Sequence, residues 1–142
     1  MTMRLSLLFS TIVAGFSVLP ATQTAQGGED RQMELLLNAI AAVESRHDSG
    51  AVGDNGRAVG IYQIHRSYWA DGTRILGVTW DYRDARDPQK ARQVVRAYLS
   101  HYGKGKTLLE MARIHNGGPA GHKKEATVTY ARRIEQVLDS AA

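Results

Sequence analysis

The chain has 142 residues, a formal net charge of +4 and no cysteine. At that length, with no internal repeat, it holds one domain plus whatever is removed from its front. The missing cysteines exclude disulfides, thiolate metal sites and cysteine nucleophiles, so stability rests on packing. The small basic excess suits acidic polymers, but no basic run interleaved with aromatics marks a nucleic-acid binder.

Met1 to Arg4 is a short positive leader, and Leu5 to Leu19 is apolar apart from small and hydroxyl residues. Pro20 breaks the run and Ala21 to Gly28 is small and polar, the pattern of a secretory signal peptide. The run is short for a membrane span, which needs roughly 20 residues. Residues 1–26 are therefore expected to be a signal peptide, with the cut placed between Ala21 and Gly28, and residues 27–142 a single domain. A secreted or periplasmic location follows, with no stable membrane insertion once the leader is gone.

From Asp30 to Val43 the apolar residues Met33, Leu36, Leu37, Ile40 and Val43 recur at helical spacing. Glu44 falls at the C-terminal end of this helix beside the buried stripe. Helix-end charge and partial burial both push its pKa upward, as a general acid requires. Gly50 to Gly60 is turn-rich around Asp54-Asn55-Gly56 and is flanked by Ala51-Val52 and Val59 to Ile64, which predicts a small hairpin. Arg66 to Gly77 reads as short helical turns and loops. Asp87-Pro88 opens a helix whose stripe is Ala91, Val94, Val95, Tyr98, Leu99 and Tyr102, ended by Gly103. Thr107 with Glu110 forms a capping box for a helix through about His115. Asn116 to Pro119 forces a turn, and a last helix over Glu125 to Asp139 buries Val128, Ala131, Ile134 and Val137 or Leu138. The fold class expected is α+β, mostly helical with one small hairpin. His47, His65, His101, His115 and His122 show no ligand spacing, so neither a metal nor a cofactor is expected.

Three segments carry more than periodicity. ARIHNGGPAGHKKEATVTY, Ala112 to Tyr130, resembles the C-terminal signature of the invertebrate-type lysozymes, the destabilase family. GIYQIHRSYWADG, from Gly60, and RAYLSHYG, from Arg96, resemble two further family segments in the same order. The resemblance implies a lysozyme-like fold and hydrolysis of the β-1,4 bond between N-acetylmuramic acid and N-acetylglucosamine in peptidoglycan. It implies Glu44 as the catalytic acid and Asp54 as the second carboxylate, with Asp48 in reserve. Tyr62, Gln63, His115, Asn116 and Tyr130 would line the cleft and bind sugar. Asp54 would stay ionised through the backbone donors of its turn.

The family cysteines are absent. His115 matches the histidine of the serine–histidine pair credited with isopeptidase activity in some members, but Arg57, Ala58 and Val59 stand where that segment carries its serines. Glu44-Ser45, Ala58 to Ile64, Asn116 to Pro119 and Tyr130 also resemble the soluble lytic transglycosylases, which release a 1,6-anhydro sugar and need no second carboxylate. A non-catalytic wall-sugar binder is the remaining alternative. Oligomeric state is not legible.

Overall fold

The computed structural model describes residues 22–141. Its first helix, α1 (Thr22–Ser45), is longer than its apolar stripe. Leu36, Leu37 and Ile40 are fully buried, whereas residues 25–32 are all exposed. The helix thus starts about two turns before Asp30, where no periodicity announces it. Of the expected signal segment, residues 1–21 lie outside the described residues, and Thr22 to Gln26 form the start of α1. Among the described residues no helix is long and apolar enough to cross a membrane.

After α1 the chain reverses through Arg46 and His47, both at positive φ, and enters a three-stranded antiparallel sheet. Its strands are β1 (Val52–Gly53), β2 (Ala58–Val59) and β3 (Ile64–His65). Val52 pairs with Val59, and Val59 in turn with Ile64. The expected hairpin is the β1–β2 pair, and a second tight turn over Gly60 to Gln63 adds the third strand. That turn demands glycine: Gly60 has φ +75°, and a Cβ there would lie 2.3 Å from the Ala85 carbonyl oxygen.

The segment expected as turns and loops is instead one helix, α2 (Arg66–Leu76). Its buried residues Trp69, Gly72 and Thr73 sit at helical spacing, and the central Gly72 lets the helix close on Val94, whose Cγ1 would be 2.5 Å from an added Cβ. A glycine and a threonine within the stripe disguise it as a loop. A 3₁₀ turn (Tyr82–Arg86) leads to α3 (Pro88–Tyr102), where Asp87 accepts hydrogen bonds from the amides of Gln89 and Lys90 as expected of its N-cap. Gly103 ends α3 as expected, at φ −95°. A side chain is excluded there because a Cβ would meet Leu99 O at 2.5 Å and Met111 Cγ at 2.7 Å.

Thr107 and Glu110 form the complete capping box of α4 (Leu108–Gly117). Asn116 and Gly117 belong to that helix, so the turn begins two residues later than expected, at Gly118 with φ +82°. Two 3₁₀ turns lead to α5 (Val128–Ser140), which buries Tyr130, Ala131 and Ile134, with Val128, Val137 and Leu138 half-buried. The four helices α1, α3, α4 and α5 share one core containing Leu36, Ile40, Val94, Leu99, Ile114 and Ile134. Arg92 and Arg96 of α3 pair with Glu34, tying α3 to α1 without a covalent link.

Candidate active site

Glu44 is set by the end of α1. Ser45 beside it donates to the Ile61 carbonyl (2.9 Å), which pins the helix end to the turn between β2 and β3. The Glu44 side chain is 19 % exposed. Burial lifts its pKa above the usual carboxylate value, and the Tyr130 hydroxyl and the Arg133 charge oppose that rise without cancelling it. The Tyr130 hydroxyl is itself buried and, although it faces the carboxyl, meets no partner at hydrogen-bond geometry. Helix-end charge adds to the bias toward the protonated acid.

His115, on α4, closes this side. Its Nε2 lies 3.2 Å from the Tyr62 carbonyl oxygen and 3.7 Å from Glu44 Oε1, and its Nδ1 lies 3.1 Å from the Tyr68 hydroxyl. A carbonyl can only accept, so Nε2 carries the proton and Nδ1 accepts from Tyr68. Burial lowers the His115 pKa to about 4. The imidazole is therefore neutral near pH 7, and its approach to Glu44 is a contact of a neutral donor rather than an ion pair.

Asp54 occupies the 3₁₀ turn (Asp54–Gly56) between β1 and β2. Asp54 and Asn55 both adopt left-handed backbone, φ 49° and 56°, a conformation that Asp and Asn tolerate better than other side chains. The partners of the carboxylate are not the turn's backbone amides, as expected, but side chains. Arg57 Nη2 lies 2.8 Å from Oδ1, and His65 Nε2 lies 3.4 Å from Oδ2. Asp48 accepts from the Gly50 amide at 2.8 Å and shapes the preceding turn.

Glu44, Asp54, Gln63, His115 and Asn116 line one open cleft of about 760 Å³. Asn116 is exposed at its rim. Gln63 spends its amide protons on the Gly60 carbonyl (2.9 Å) and the Ala51 carbonyl (3.3 Å), so it braces the sheet turn as well as facing the cleft. Tyr62 does not line the cleft. It is fully buried, and its hydroxyl accepts from Arg92 Nη1 at 3.0 Å, so it belongs to the α1–α3 core. Alternation along the turn that follows β2 sends its side chain inward and leaves only its carbonyl for His115. Tyr130 lies behind Glu44 rather than on the cleft surface.

The wall next to His115 is built of residues outside the expected site set. Ser67, Tyr68 and Asp71 of α2 and Tyr98 of α3 line it. Tyr68 stacks on Tyr98 with ring centroids 3.8 Å apart, and Asp71 accepts from the Tyr102 hydroxyl at 2.5 Å. That hydroxyl, with Arg74, holds the Asp71 carboxyl below its usual pKa. Spacing of three and four residues puts 67, 68 and 71 on one face, a signal visible once the segment is taken as a helix. Among the described residues no three acidic or imidazole groups converge as a metal site.

The profile described as Destabilase matches residues 34–137, most of the described chain. The chain belongs to the destabilase family. Among its relatives, a lysozyme of Ostrea edulis is 42% identical over 87 residues, covering 57% of this chain and 62% of that protein. A lysozyme of Meretrix lusoria is 35% identical over 107 residues, covering 71% of this chain and 86% of that one. A chain in the crystal structure of Aeromonas hydrophila PliI in complex with Meretrix lusoria lysozyme superposes with a TM-score of 0.63 at 31% identity, covering 72% of this chain and 88% of that chain. In this destabilase-family chain the helices and small sheet thus carry a lysozyme-like fold. The alignment with the Ostrea edulis protein spans under two thirds of that protein's length.

Proposed function

We propose that this destabilase-family protein is a lysozyme that hydrolyses the β-1,4 bond between N-acetylmuramic acid and N-acetylglucosamine in peptidoglycan. The observation that carries the reading is one cleft holding a largely buried Glu44, its pKa raised by that burial, and a more exposed Asp54 paired with a guanidinium. Two carboxyl groups in unlike surroundings are what acid-assisted glycoside cleavage uses.

Glu44 donates its proton to the leaving glycosidic oxygen. Neutral His115 leaves that proton in place, since it presents an N–H rather than a lone pair to the carboxyl. Asp54 then stabilises or attacks the oxocarbenium-like centre, a division of roles taken over from lysozyme chemistry. Asn116 at the rim bonds the sugar's acetamido or hydroxyl groups, and the stacked Tyr68–Tyr98 wall gives a sugar ring an apolar face. The enzyme is exported by way of residues 1–26 and acts on wall polymer outside the cytoplasm.

The test is mass spectrometry of muropeptides released from purified peptidoglycan by the wild type, Glu44→Gln and Asp54→Asn. Reducing-end products that fall about a hundredfold or more in both variants support the hydrolase. Anhydro products that survive Asp54→Asn would make it a lytic transglycosylase. Binding without release would make it a non-catalytic wall binder.

A further inference from the structure

We propose that Arg57 and His65 are positioning residues that aim the Asp54 carboxylate into the cleft; this rests on the reading of Asp54 as the second carboxylate. Asp54 sits at the tip of the smallest element of the fold, a two-residue-per-strand hairpin, and its side chain is 40 % exposed. An aspartate so placed has several accessible rotamers. Both of its oxygens are nevertheless engaged by separate side chains from separate elements. Arg57 takes Oδ1, and His65, on β3, approaches Oδ2.

Arg57 is anchored to Asp54 a second and a third time. Its Nε donates to the Asp54 carbonyl at 3.1 Å and its backbone amide to the same oxygen at 3.2 Å. The guanidinium therefore spans the backbone and the carboxylate of one residue, and it fixes χ1 in a turn whose left-handed backbone would otherwise leave the carboxylate free to swing to solvent. His65 comes from the strand that lines the cleft floor, so it ties the same carboxylate to the side where substrate lies. The base of this arrangement is held by Tyr82, whose hydroxyl donates to the Ile64 carbonyl at 2.7 Å and lies 3.1 Å from the Arg57 carbonyl oxygen.

Arg57 stands where the family's isopeptidase-credited segment carries serine. In this chain the position serves the carboxylate of the glycosidase pair. Positioning of this kind is felt in the chemical step and not in substrate binding, because Asp54 acts on charge that develops at the reacting carbon.

The experiment measures kcat and KM separately on a soluble peptidoglycan oligosaccharide for Arg57→Ala, Arg57→Lys and His65→Ala, with Asp54→Asn alongside and thermal melts to confirm folding. The expected result is about a fivefold drop in kcat for Arg57→Ala with KM within about twofold, the size an exposed ion pair supports. Arg57→Lys should regain only part of it, since its ammonium keeps the charge but cannot span the Asp54 carbonyl and carboxylate together, and His65→Ala should show a smaller drop of the same kind. Unchanged kcat in folded Arg57→Ala, a loss confined to KM, or no gain from lysine would overturn the inference while leaving Asp54's role intact. Full activity in Asp54→Asn would instead overturn the second-carboxylate reading and this inference with it.

Discussion

The protonation state of His115 predicts how the fold responds to acid. The imidazole is 4 % exposed, and burial lowers its pKa to about 4 from the usual 6.5 of a histidine. The unfolded chain therefore takes up a proton at this residue as pH falls below 6.5, while the folded protein does not until about pH 4. More protons on the unfolded state means stability falls with falling pH in that window. The stabilisation is fully present above about pH 6.5 and is lost on the way down to about pH 4. With each pH unit worth about 1.4 kcal/mol per proton, the loss at pH 5 is about 2 kcal/mol, or about 8 °C in Tm for a domain of this size.

His115→Gln removes the titration and keeps the contacts, since its amide can donate to the Tyr62 carbonyl and its oxygen can accept from Tyr68. Melts of both proteins at pH 7, 6 and 5 read the effect as a difference, which cancels the carboxylates. Glu34, Asp71, Asp81 and Glu110 all have lowered pKa values and lose their contributions below about pH 4 in both proteins. The wild type should lose ground to the variant steadily from pH 7 to pH 5. Parallel curves across that range would refute the burial of a neutral His115.

Three further outcomes are expected. Glu44→Gln should raise Tm at neutral pH while abolishing cleavage, because the native fold no longer holds a desolvated carboxylate whose raised pKa costs stability as pH climbs through it; the gain is on the order of 1 kcal/mol. An unchanged or lowered Tm in that variant would argue against a strained acid. Tyr62→Phe should cost about 1 kcal/mol in denaturant unfolding by removing one of the two acceptors of Arg92 Nη1, Asn38 Oδ1 being the other, and leave KM unchanged, whereas a raised KM would return the residue to the cleft. Gly60→Ala should destabilise by about 1–3 kcal/mol, since the new methyl would press on the Ala85 carbonyl at positive φ; wild-type stability on chemical denaturation would contradict the turn geometry.

Much of the fold is written locally. The stripes of α1, α3 and α5, the Asp87 N-cap, the Thr107–Glu110 box and the Asp54 turn are each set by residues within a few positions of one another, so periodicity and capping chemistry expose them. Glu44 was legible for the same reason: it follows directly on a buried stripe at a helix end. The start of α1 was not legible, since its first turns bury nothing, and α2 was not, since its stripe is built from Gly72 and Thr73 shaped to fit Val94 on another helix. The same gap hid Asp71 and Tyr98, whose place in the cleft depends on α2 lying against α3. Tyr62 shows the converse, because its neighbours in sequence face the cleft while its own side chain finds Arg92 thirty residues away. Local spacing determines which elements form and which side chains share a face. Only tertiary packing decides which faces meet, and so which carboxylates share a cleft, which imidazole stays neutral there, and which cation holds Asp54.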